Sequence, residues 1–219
     1  IRDRLVLCNV ATGAMNTEGD AQEHYWLGHA YEQKGMPANA ARHYRKASEL
    51  DPAFGDPRLS LAVIHSEAER LGKAVEQYRL YLEHRPSDHE VRFLLGNTLL
   101  LARRYDRAAQ VYATIAAARP AWAAIHGRLG YAYLMSEQPD SAVASYRRTL
   151  ALNPDSTIVR YQLGRLYAAQ DQPERATAEF EWLIDAQPTV TEYHIRLAEL
   201  LIEEEKAVGI ALGQSESLH

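Results

Sequence analysis

Nine histidines and 29 aspartates and glutamates supply ample material for metal binding or acid–base chemistry. Spacing decides whether they can be used. A zinc site needs three or four donors around one ion, and a covalent mechanism needs a nucleophile, a base and an orienting group within hydrogen-bond reach. The chain contains no HExxH, CxxC or GxSxG and no glycine-rich phosphate loop. His24, His126 and His194 are separated by multiples of 34 residues, which puts them in different structural units and too far apart to chelate one ion. Their expected state is half-buried, with ring nitrogens hydrogen-bonded. His84 and His89 flank Pro86 and make a weak pair. Carboxylates at Glu67 and Glu69, and at Glu203 to Glu205, read as solvated helix faces. No catalytic residue, metal ligand or cofactor is expected, so the chain is not read as an enzyme, although a catalytic domain outside this sequence is compatible with it.

Composition points the same way. The chain is 47% hydrophobic and 24% charged, ordinary for a folded protein. A net charge of -5, with no block of Lys and Arg, argues against nucleic acid, because a phosphate-binding surface needs a concentrated basic face. The single Cys8 has no partner for an intramolecular disulfide and reads as a small apolar side chain. No apolar run reaches the roughly 18 residues of a membrane span, so the expectation is a soluble protein that does not cross a membrane. The apolar part of RDRLVLCNV is too short for a convincing signal peptide. Cytoplasm and periplasm both stay open. Arg outnumbers Lys twenty to four, which leans toward a bacterial source.

The elements that position these residues are set by an internal period. Pro52, Pro86, Pro120, Pro154 and Pro188 recur every 34 residues, as do Ala40, Ala74, Ala108, Ala142 and Ala176. Four residues after each alanine stands an aromatic: Tyr44, Tyr78, Tyr112, Tyr146 and Phe180. Leu27, Leu61, Leu95, Leu129, Leu163 and Leu197 keep the same beat, each followed by Gly or Ala. Apolar residues recur at helical spacing in AQEHYWLGHAYEQKG and in ANAARHYRKASEL, with Pro37 near the start of the second segment and Pro52 after its end. Each unit therefore predicts a helical hairpin. The small residues at its eighth and twentieth places let the helices approach, and the aromatic fills the space beyond. One hairpin cannot bury its apolar face alone, so neighbouring units must stack.

These residues resemble the tetratricopeptide repeat, with its L-G-x-x-Y, A-x-x-x-F and P pattern over 34 residues. The match covers five repeats, 21–54, 55–88, 89–122, 123–156 and 157–190, and continues into a partial sixth repeat or capping helix with a tail at 191–219. The expected KAVGIALG segment forms a short second helix there. Residues 1–20 form a leading helix, either the remnant of a preceding repeat, with Val6 and Val10 at the places of Ala40 and Tyr44, or an unrelated one. The usual Trp at the fourth place is replaced by His24, Arg58, Arg92, His126, Arg160 and His194, which is expected to weaken packing locally. The fold class implied is all-α, a right-handed α-α superhelix or solenoid of antiparallel helix pairs.

The resemblance also implies which side chains are spare. In this family the first helix of each pair lines a concave groove through places 2, 5, 9, 12 and 13. Carried over, these select Tyr25, His29, Leu59, Val63, Phe93, Asn97, Leu100, Tyr131, Leu134, Tyr161 and Arg165 as a peptide-binding groove. Its middle is aromatic and aliphatic. Its ends are acidic, through Glu32, Asp56, Glu67 and Glu90 on one side and Glu192, Glu199 and Glu203 on the other. The Lys and Asn clamp by which chaperone-binding members hold a terminal carboxylate is missing, since Tyr25 and His29 stand in its place. The expected role is a scaffold or adaptor that binds a protein or peptide segment, extended or helical, with apolar anchors and basic flanks. Asn97 is placed to bond the ligand backbone. The alternative is a homo-oligomer held by acidic inner and basic outer faces, the latter from Arg42, Arg45, Lys46, Arg104, Arg147 and Arg148. Within YAY, Tyr133 is assigned to the core and Tyr131 to the groove.

Overall fold

The computed structural model describes residues 19–216, and the leading helix expected within 1–20 lies almost wholly outside them. Among the described residues there is no strand, and eleven helices follow one another. They are α1 (Ala21–Gln33), α2 (Pro37–Leu50), α3 (Gly55–Glu67), α4 (Leu71–His84), α5 (His89–Leu101), α6 (Tyr105–Ala118), α7 (Ala123–Met135), α8 (Pro139–Leu152), α9 (Thr157–Ala169), α10 (Pro173–Ala186) and α11 (Thr191–Glu216).

Local chemistry sets the ends. Proline opens α2, α8 and α10, where its missing N–H is not needed. The carboxylates of Asp20 and Asp88 cap α1 and α5, accepting from the N–H of Glu23 at 2.8 Å and of Val91 at 3.0 Å. The turn after each first helix passes through a left-handed residue at the same place of every repeat. It is Gly35 in the first, but Glu69, Arg103, Glu137 and Asp171 in the others, with φ between 55° and 59°. These four carry the steric cost that glycine avoids.

The chain divides into two compact units, Ile1–Ala102 and Arg103–His219. In the first, α1 packs on α2 and α3 on α4, with α2 against α3 and α4 against α5. In the second, α7 packs on α8 and α9 on α10, and neighbouring helices are in contact from α6 through α11. Within each unit the hairpins close on the predicted small residues. Ala40, Ala74, Ala108, Ala142 and Ala176 are all 0% exposed. Gly28, Gly130 and Gly164 lie so close under the rings of Tyr44, Tyr146 and Phe180 that an added Cβ would stand 2.6, 2.6 and 2.9 Å from them. The aromatic thus sits directly over the glycine, rather than beyond it. The first unit's core joins Ala40, Ala41 and Tyr44 to Leu61 and Ile64, and the second unit's runs from Ala142 to Leu200.

The final segment differs from the expected hairpin. α11 is one helix of 26 residues that runs through KAVGIALG instead of turning back. No proline interrupts it, and the KGMP-like turn of the first repeat has no counterpart.

Candidate functional site

The places occupied by His or Arg instead of Trp turn out to be structural joints. His126 and His194 place Nε2 at 3.0 and 2.9 Å from the carbonyl oxygens of Pro120 and Pro188, each six residues earlier. Arg92 donates to Pro86 at 2.6 Å, Arg58 to Pro52 at 3.4 Å, and Arg160 to Pro154 at 3.2 and 3.1 Å. One side chain per repeat therefore ties the first helix to the proline that ends the preceding one. Arg160 is the most engaged. It also pairs with Glu179 at 2.9 Å, and its guanidinium lies 3.9 Å from the centre of the Trp182 ring. The joint escaped the sequence reading because the Trp match failed there. The signal was present, as a donor six residues after every repeat proline.

His24 turns instead to His43, with their Nδ1 atoms 3.0 Å apart, and His43 stacks on Tyr31. Burial first, then His24 and Arg42, push the His43 pKa below its usual value. Among the described residues no group of three His, Cys, Asp or Glu is arranged to hold a metal. A basic recess, lined by His24, Arg42, His43, Arg45 and Lys46, is open and contains Glu49.

The eleven groove residues remain half-buried or exposed. In the first unit, Tyr25 is held by rings on two sides, 5.7 Å from Tyr44 and 5.1 Å from Phe54, and His29 stacks on Trp26. Burial raises the Tyr25 pKa, with Asp56 and Glu32 adding to it. Leu59 and Leu100 are half-buried and Val63 is exposed. Phe93 and Asn97 are half-buried and already engage neighbours. In the second unit, Tyr131 is 39% exposed and Leu134 half-buried against the core, as is Tyr133. Tyr161 is tied down more than an anchor should be: its hydroxyl donates to Glu192 at 2.9 Å, and its ring meets Phe180 edge-on and Tyr193 at a tilt. Arg165 is exposed, 5.8 Å from the Tyr161 ring.

The acidic ends are partly spoken for. Arg196 pairs with Glu192 at 2.8 Å and Glu199 at 3.0 Å, and Arg85 reaches Asp56 at 3.6 Å. The Tyr161 and Arg196 bonds hold the Glu192 carboxyl below the usual carboxylate range. Glu32 accepts from the Tyr44 hydroxyl at 2.6 Å. Exposed apolar side chains, by contrast, fall on one class of element. Among the described residues every exposed large apolar residue except Met36 and Leu50 lies on α1, α3, α5, α7, α9 or α11. Leu101, Met135 and Ile158 belong to this set and stand at groove places 13, 13 and 2 of their repeats, whereas Leu94 stands at none of them. No described helix is long and apolar enough to cross a membrane.

Family models described as tetratricopeptide repeat match residues 21–54, 59–121, 93–157 and 133–200. No curated protein sequence matches significantly. Among solved structures, MamA from Desulfovibrio magneticus RS-1 is similar at 21% identity and a TM-score of 0.66, over 78% of this chain and 98% of that one. YrrB, described as a TPR protein with an unusual peptide-binding site, is similar at 17% identity and a TM-score of 0.67, over 85% and 92%. PilF of Pseudomonas aeruginosa is 23% identical with a TM-score of 0.60, over 90% of both chains.

Proposed function

The chain belongs to the tetratricopeptide repeat family, and on that premise we propose that it is a non-catalytic interaction module that binds a protein or peptide segment on its first helices. One observation carries this reading. The exposed large apolar side chains concentrate on the helices α1, α3, α5, α7, α9 and α11, and apolar side chains left open on one class of element fit a surface that a partner covers. Val63, Leu94 and Leu101 supply it in the first unit, and Tyr131, Met135 and Ile158 in the second. YrrB, a protein of the same fold, is described as having a peptide-binding site, which fits this use of the surface. The ligand is an extended or helical segment with large apolar anchors and basic flanks. Within each unit the flanks meet exposed acids, such as Glu67 in the first and Glu203 in the second.

Self-association through acidic inner and basic outer faces is the weaker reading, because Asp56, Glu192 and Glu199 already satisfy cations of their own chain. Selection of binders from a displayed peptide library, followed by Phe93→Ala and Tyr131→Ala singly and together, tests the proposal. Affinity falls at least about tenfold for the double variant if these faces bind. Affinity held within about twofold, with helicity and melting unchanged, removes them. A salt-dependent increase in mass, without peptide binding, favours self-association.

A further inference from the structure

The repeat pattern stops being satisfied on α11. At the eighth place, Gly28, Ala62, Gly96, Gly130 and Gly164 are all buried, and three of them lie beneath an aromatic ring from the second helix of their own pair. The equivalent residue of α11, Ala198, is exposed. Three residues on, His65, Leu99 and Tyr167 are 7%, 3% and 6% exposed, whereas Leu201 is 49% and the adjoining Ile202 50% exposed. The other side of α11 is satisfied: Leu200 is buried in the second unit's core, with Tyr193 and Leu197 packed against it. α11 is therefore a first helix docked on its predecessor, with the face for a second helix uncovered.

The residues that follow are poorly suited to that place. In register with Ala176 and Phe180 stand Ile210 and Gln214, too large where the helices approach and too polar where an aromatic is required. The chain continues as the same helix to Glu216. What the face accepts can be read from the pairs already closed. Ala40 with Tyr44, Ala142 with Tyr146 and Ala176 with Phe180 present a small residue at the approach and an aromatic one turn later. Beside the open face, Glu203, Glu204 and Glu205 are exposed and acidic.

We propose that Ala198, Leu201 and Ile202 form a docking face for an amphipathic helix of another protein, one that carries a small residue, an aromatic four residues later, and basic flanks. Docking completes the sixth helix pair in trans. The face lies on α11, where Ile202 and Glu203 also stand at groove places of that helix, and its occupation does not require the groove residues of the other helices.

A probe exists within the chain: PANAARHYRKASEL, residues 37–50, has the small residue, the aromatic and the basic flank. Made as a fluorescein-labelled peptide stapled on its polar side, so that helix formation does not limit it, it is titrated against the full chain and followed by anisotropy. Saturable binding with a Kd on the order of 10 to 100 µM is expected. Leu201→Glu and Ala198→Gln, both at exposed positions, weaken it about tenfold without lowering the melting temperature. A peptide with Ala at the place of Tyr44 binds as poorly. Tyr131→Ala in the protein leaves the affinity unchanged. Binding that survives Leu201→Glu overturns the proposal, and so does the absence of saturation at about 1 mM. A dimer in sedimentation velocity that Leu201→Glu converts to monomer also overturns it, since a second copy then occupies the face.

Discussion

The seam between paired helices and the outer faces of the first helices obey different rules within the same repeat. In the seam the chemistry recurs: five alanines with no exposure, and glycines covered by rings at nearly equal distances. On the outer face the ninth place reads His29, Val63, Asn97, Tyr131 and Arg165, and the fifth reads Tyr25, Leu59, Phe93, Gly127 and Tyr161. Positions that meet the same neighbours in every repeat are held to one residue type by packing. Positions whose neighbours differ from one repeat to the next vary in residue type. The fourth place lies between the two, since from the second repeat on its residue is either His or Arg while its hydrogen-bond partner stays a proline carbonyl.

The largest expected effect breaks the seam. Gly130→Val places a branched side chain where a Cβ already falls 2.6 Å from the Tyr146 ring, and the cost is about 3 kcal/mol in urea unfolding. Gly72→Ala is the matched control, because an added Cβ there meets nothing within 4 Å. That change is neutral or gains up to about 1 kcal/mol. Equal losses at both positions would mean that helix approach does not set the choice of residue.

The next effect is a gain where one repeat departs from the seam's apolar rule. His65 is buried, its Nδ1 has no hydrogen-bond partner, and the same place in the following repeat is Leu99. His65→Leu is expected to stabilise by about 1 to 2 kcal/mol. Burial, followed by Arg70, Lys73 and Arg45, lowers the His65 pKa, and burial lowers that of His43 too. A depressed histidine is neutral in the folded state, so the stability that goes with it is present above pH about 6.5 and is lost as pH falls, when the unfolded chain protonates first. Melting followed from pH 8 to 5 therefore drops less steeply for His65→Leu. Parallel curves would place the acid sensitivity elsewhere, with His43 the first candidate.

The seam was legible in the sequence because each of its residues is repeated five times, so the period exposes them together. The turns were less so. Gly35 announces a left-handed residue in the first repeat, but Glu69, Arg103, Glu137 and Asp171 take the same conformation with no glycine to mark it. Tertiary packing of the two helices overrides local preference there. Tyr161 was selected from its place on the outer face, and nothing local signals that its hydroxyl is taken by Glu192, 31 residues later. Glu137→Gly removes the left-handed cost at one turn, less the entropy glycine adds to the unfolded chain, for a net gain of about 0.5 to 1 kcal/mol. Asp171→Gly gains less, because aspartate tolerates that conformation better than glutamate. If Glu137→Gly destabilises, the side chain makes an interaction that outweighs the strain.

The smallest expected effect on stability falls on a residue of the proposed binding surface. Tyr131 and Tyr133 are two places apart on α7, yet Tyr133 packs against the second unit's core while Tyr131 is 39% exposed. Tyr133→Ala leaves a gap against buried neighbours and lowers stability by about 2 to 3 kcal/mol. Tyr131→Ala removes a ring that is partly in water already, so the change stays below about 1 kcal/mol. Binding orders the pair the other way. Tyr131→Ala removes a large, rigid contact from the first-helix surface and weakens a selected peptide, whereas Tyr133→Ala, at a temperature where it is fully folded, leaves affinity close to that of the parent. If both variants lose stability equally, the outer face of α7 is part of the packing and the division between seam and surface fails at that helix.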